Sequence, residues 1–95
     1  MYMILLLTLM KIKLVYDESS EDLVDKLPEG TELYTTEFFK DKKKASEILY
    51  YFGTTKVPFC AIYDDDGVVI NAFYSENKEC TADKINKYLE EWKKQ

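Results

Sequence analysis

The sequence predicts an α/β fold: a three-layer sandwich, ordered β-α-β-α-β-β-α, with helices on both faces of a mixed four-stranded sheet. Three observations predict it. Strand-like runs at 11–16 and 31–39 flank a short helical stretch, and a helical crossover makes neighbouring strands parallel. A second apolar helical face, Ala45, Ile48, Leu49 and Phe52, runs into Gly53 and then into a strand opened by Pro58. Asp64-Asp65-Asp66-Gly67 separates two further strand-like runs, as a hairpin turn does.

Residues 1–10 form an apolar segment ahead of a single domain at 11–95. The run from Tyr2 to Met10 is too short to span a bilayer and lacks the positive start and small-residue cleavage site of a signal peptide. Three readings stay open for it: an extension of the first strand, a vestigial export signal, or translated sequence ahead of a start at Met10. As an exposed apolar stretch it would promote dimerisation. Residues 11–16 alternate and then turn apolar, as a strand entering a core does. Ser19 or Ser20 is the expected N-cap of the first helix, with Glu21 and Asp22 in its first turn, where the helix dipole favours acids. Leu23, Val24 and Leu27 give that helix a buried face, and Pro28-Glu29-Gly30 ends it.

Asp41 is placed to cap the second helix, and Gly53 supplies the positive φ at its end. In the strand after Pro58, alternation sets Phe59, Ala61 and Tyr63 on one face and Cys60 with Ile62 on the other. The last strand covers 68–74. Thr81 caps a final helix over 81–92, with Ile85, Tyr88, Leu89 and Trp92 as its buried stripe.

Composition narrows the chemistry. A net charge of −5 without a basic stripe argues against nucleic acid. Lys42, Lys43 and Lys44 spread around a helix start and read as a solvated face. The chain has no histidine, so Cys–His and Ser–His nucleophiles and the commonest metal ligand are excluded. Asp64, Asp65 and Asp66 lack the alternate spacing and distant glutamate of a calcium loop. No catalytic residue, metal or cofactor is expected. Cys60 and Cys80, twenty residues apart, form no recognised metal or redox spacing. Two free thiols in the cytoplasm are the default, with an exported, disulfide-bonded form left open.

From Lys11 onward these parts resemble, in order and spacing, the thioredoxin-like (thioredoxin/glutaredoxin) superfamily. The parts are Gly53, Val57-Pro58, the strand at 59–63, the Asp-rich turn, the strand at 68–74 and the helix at 81–92. The resemblance implies a cis proline at Pro58 and a reactive thiol at the start of the first helix. Its Cys-x-x-Cys pair is absent: Ser19 or Ser20 stands at the first cysteine's place, and Asp22 or Leu23 at the second's. Asp17, Glu18, Glu21, Asp22 and Asp25 crowd that helix start with negative charge, which opposes a thiolate.

The resemblance further implies a peptide groove, here Ser19, Ser20, Val57, Pro58 and Phe59, where the Val57 backbone can pair with an extended partner. An acidic rim of Asp17, Glu18, Glu21 and Asp22 favours a basic partner. The leading expectation is a redox-inactive module that binds a protein or peptide. One alternative is an atypical thiol-disulfide oxidoreductase using Cys60 or Cys80. Of the two, Cys60 reads as a small buried hydrophobe rather than a reactive group, and Cys80, beside a helix start, as the more exposed and activatable thiol. The other alternative is a structural subunit assembled through the apolar N-terminus.

Overall fold

Apolar alternation in four short runs builds one sheet. The computed structural model describes residues 10–37 and 39–93. The strands β1 (Met10–Tyr16), β2 (Glu32–Thr35), β3 (Phe59–Asp64) and β4 (Val69–Tyr74) lie in the order β2-β1-β3-β4. β1 runs parallel to β2 and antiparallel to β3, and β4 returns antiparallel to β3. A 3-10 helical segment (Glu18–Lys26) joins β1 to β2, α1 (Phe39–Tyr51) joins β2 to β3, and α2 (Ala82–Lys93) closes the chain. A 3-10 turn at Ser75–Asn77 precedes α2. The expected α/β class, element order and mixed four-stranded sheet are present.

Each face of the sheet has its own core. On one, Met10, Ile12, Leu14, Cys60, Ile62 and Phe73 meet Leu23 and Leu27 of the 3-10 segment and Ile85 and Leu89 of α2. On the other, Val15, Phe59 and Ala61 pack beneath Ala45 and Ile48 of α1. Period-two alternation thus sends β3 to two different helical layers, and Phe59, Cys60, Ala61 and Ile62 are all fully buried.

The helix ends follow from side-chain and backbone chemistry. Gly53 takes φ +70°. The Thr54 and Gly53 N–H groups donate to the carbonyls of Leu49 at 3.0 Å and Tyr50 at 3.1 Å, a Schellman closure of α1. Thr81 Oγ1 accepts from the Lys84 N–H at 3.2 Å, the cap expected of it.

Three boundaries differ from the sequence reading. Met10, 1 % exposed, belongs to β1 and its core, so the sheet begins inside the segment assigned to 1–10. The expectations placed on residues 1–9, strand extension, leader or assembly surface, lie outside the described residues. β2 stops at Thr35 instead of reaching 39, because the Thr35 hydroxyl accepts the Glu37 N–H at 3.2 Å and turns the chain. α1 starts at Phe39, so Asp41 lies in its first turn and does not cap it.

The core predicts its own sensitivity. Ile85→Ala, at a fully buried contact between α2 and the sheet, should cost about 2–5 kcal/mol in urea unfolding. Tyr50→Ala, at a side chain 88 % exposed, should stay within about 0.5 kcal/mol of wild type. Equal losses would contradict the assigned layers.

Candidate functional site

The chain leaves β1 through a tightly bonded helix start. Asp17, and neither serine, is the N-cap. Its Oδ1 accepts from the Ser19 N–H at 3.0 Å, the Ser19 hydroxyl at 2.6 Å and the Ser20 hydroxyl at 3.2 Å. In return the Asp17 N–H donates to Ser20 Oγ at 3.1 Å, completing a reciprocal capping box. The Glu18 N–H donates to Glu37 Oε1 at 3.2 Å, and the Ser20 N–H to the Asp17 carbonyl at 3.1 Å. Ser20 is drawn off helical geometry (φ −118°, ψ 16°), which breaks the segment into two 3-10 turns where a regular α-helix was expected. The cap failed to register in the sequence because Asp17, Ser19 and Ser20 are all capping residue types.

Next to this start lies the end of the α1–β3 loop. The Val57–Pro58 peptide is cis. Polar bonds from the end of β4 and the residues just after it hold the loop. The Ser75 hydroxyl donates to the Pro58 carbonyl at 2.5 Å, the Tyr74 hydroxyl to the Phe52 carbonyl at 2.9 Å, and the buried Thr54 hydroxyl to Glu76 Oε2 at 2.6 Å. The Thr54 hydroxyl holds the Glu76 carboxyl below its ordinary range. Tyr74, Ser75, Glu76 and Thr54 position the loop and were not singled out in the sequence, where their pairing across about twenty positions leaves no local signal.

Between the 3-10 segment and the start of α2 runs an open groove of about 350 Å³. Ser19, Ser20, Asp22, Leu23 and Lys26 form one wall, Thr81, Ala82 and Asp83 the other, and Pro58 and Cys80 also line it. The Asn86 side-chain amide donates to the Lys26 carbonyl at 3.0 Å and ties the two walls together.

Of the five residues expected to form a peptide groove, three line this cleft. Ser19, Ser20 and Pro58 come together. Phe59 does not join them: it is 0 % exposed on the opposite face, with ring centroids of Phe52 and Tyr74 at 4.8 and 5.2 Å. The Val57 side chain packs into that same opposite core. In the acidic rim, Asp22 lines the groove, Glu18 and Glu21 are exposed on the same segment, and the Asp17 carboxylate is committed to the cap. Lys26, Thr81, Ala82 and Asp83 were missed as site residues, and Cys80, named as a candidate thiol, was not placed in the groove, because only the tertiary fold brings α2 beside the first helical segment.

Both thiols are buried. Cys60 sits in the core as expected, and burial, with Cys80 contributing, pushes its thiol well above its ordinary value. Cys80 corrects the sequence reading: it is 7 % exposed, and burial pushes its thiol up to about 12. Its place beside a helix start suggested exposure, yet the Glu79 N–H donates to the Tyr74 carbonyl at 3.2 Å and folds this stretch back onto the end of β4.

At the Asp-rich turn, Asp64 Oδ1 accepts from the Asp66 and Val68 N–H groups, both at 2.9 Å, and Gly67 takes φ +83°. One carboxylate oxygen from each of Asp64, Asp65 and Asp66 lies within 4.8 Å of the others. The hairpin turn expected there accounts for the Asp64 contacts. Among the described residues, no helix is long and apolar enough to cross a membrane.

Compared with protein-family models, curated proteins and solved structures, the chain shows no match.

The cap makes stability depend on pH. The Ser19 hydroxyl, with Ser20 and the backbone assisting, lowers the Asp17 pKa below its ordinary 3.8 against an opposing effect of burial. The contribution of the ionised carboxylate is therefore complete above 3.8 and is lost as the pH falls through the lower folded-state value. Asp17→Ala should cost roughly 0.5–2 kcal/mol near neutral pH. In urea titrations the gap to wild type should narrow in acid below that range; a gap independent of pH would contradict the ionised cap.

Proposed function

We propose that this chain is a thioredoxin-like module without redox activity that binds a protein or extended peptide in the groove between the 3-10 segment and α2. One observation carries the reading: at the helix start where the resemblance places a reactive thiol, the first donors are already bonded to Asp17 and Glu37. An incoming anion would have to displace a carboxylate of the chain itself. The strand order β2-β1-β3-β4 and the cis peptide before Pro58 support the thioredoxin-like assignment. The groove beside Pro58 supports a binding role, and the resemblance implies the Val57 backbone, next in the chain, as the strand-pairing edge.

The oxidoreductase reading draws its support from Cys80, which lines the same groove. Its raised pKa leaves almost no thiolate near neutral pH, and the thiolate is the nucleophile. Binding is the better-supported function.

Two measurements test this reading together. Titration of the isotope-labelled full chain with a pool of extended peptides should shift amide resonances around Ser19, Asp22, Thr81 and Asp83. The chain should not accelerate insulin reduction by dithiothreitol. Shifts confined to another surface, or an acceleration abolished by Cys80→Ser, would overturn it.

A further inference from the structure

The groove is chemically lopsided. Leu23, Pro58, Cys80 and Ala82 give it an apolar lining, while Asp22 stands on one wall and Asp83 on the other. Asp83 lies in the first turn of α2, where the helix dipole favours an acidic side chain. Only one cation lines the groove among the described residues. It is Lys26, whose Nζ lies 3.8 Å from Asp22 Oδ2, in a pair whose side chains are 62 % and 76 % exposed. Such an exposed i,i+4 pair contributes only a few tenths of a kcal/mol and exchanges readily for a better partner. Among the described residues Asp83 forms no ion pair within 4.0 Å, although Lys87 stands four residues further along α2.

We propose that the groove selects an arginine side chain of its peptide partner, with the aliphatic stem along Leu23, Pro58 and Ala82 and the guanidinium between Asp22 and Asp83. The inference rests on the peptide-binding reading above and adds the chemistry of what is bound. Charge complementarity favours it: two carboxylates on facing walls outnumber one lysine that is only loosely held. Shape favours arginine over lysine, because its planar fork can serve two carboxylates at once while its methylenes cover apolar surface. The volume of about 350 Å³ is at the small end of the roughly 300–1,000 Å³ typical of ligand sites, which suits one side chain with its adjoining backbone. Lys26 then acts as an internal competitor that occupies Asp22 until the guanidinium arrives.

The probe is a capped pentapeptide, Ala-Ala-Arg-Ala-Ala, against the same peptide carrying citrulline, which keeps the shape and removes the charge. Amide titrations of the full chain at low salt should give an arginine preference of about fivefold, the upper end of an exposed ion pair. Asp83→Asn should abolish that preference, and Lys26→Gln, which frees Asp22, should enlarge it. Both substitutions fall on exposed side chains, and the unperturbed amide spectrum checks that the variants are folded. Equal binding of the two peptides in the groove would overturn the arginine selection and leave the peptide-binding reading standing. Binding of neither peptide at the groove would overturn both.

Discussion

The Asp17 carboxylate is the contact on which the rest of the site depends. A helix start collects unpaired N–H groups, and something negative has to meet them. In this chain the anion is built in, one residue beyond β1, and both following serines turn their hydroxyls onto it. That arrangement draws Ser20 out of helical geometry and leaves a 3-10 segment in place of a regular helix. It also fixes how the segment leaves the sheet, and so where Asp22, Leu23 and Lys26 stand along the groove.

The second wall and the floor are held by different means. Tyr74, Ser75 and Glu76 reach across to Phe52, Pro58 and Thr54 and tie the end of β4 to the loop before β3. Immediately afterwards the chain buries Cys80 and starts α2 at the Thr81 cap. Hence the sulfur beside the groove is part of the packing. At the groove, the helix start is already bonded to the chain's own carboxylates, and burial holds the neighbouring thiol protonated.

Most of the fold was legible because it is written locally. The i, i+3, i+4, i+7 face from Ala45 to Phe52, the glycine that closes it, and the Asp64–Gly67 turn each occupy a short window in which periodicity and turn chemistry agree. Alternation through Phe59, Cys60, Ala61 and Ile62 correctly separated the faces of β3, and the same rule removes Phe59 from the groove, a consequence the family resemblance obscured. What escaped was carried by single polar atoms or by distance in sequence. Thr35 shortened β2 with one hydroxyl, Asp17 took the cap from two serines of equal propensity, and Asp83 reached the groove only through the packing of α2. Cys80 was misplaced for a related reason: no periodic pattern marks a residue buried in a loop.

The central claim is that the helix start cannot stabilise a thiolate while Asp17 occupies it. Its most direct test is the pKa of a cysteine installed by Ser19→Cys, read from the pH dependence of its alkylation rate and corrected for the two native thiols. The account predicts a value at or above the ordinary thiol value of about 8.5, because the neighbouring carboxylate opposes ionisation. A value of about 7 or below, as at an activated helix start, would contradict it.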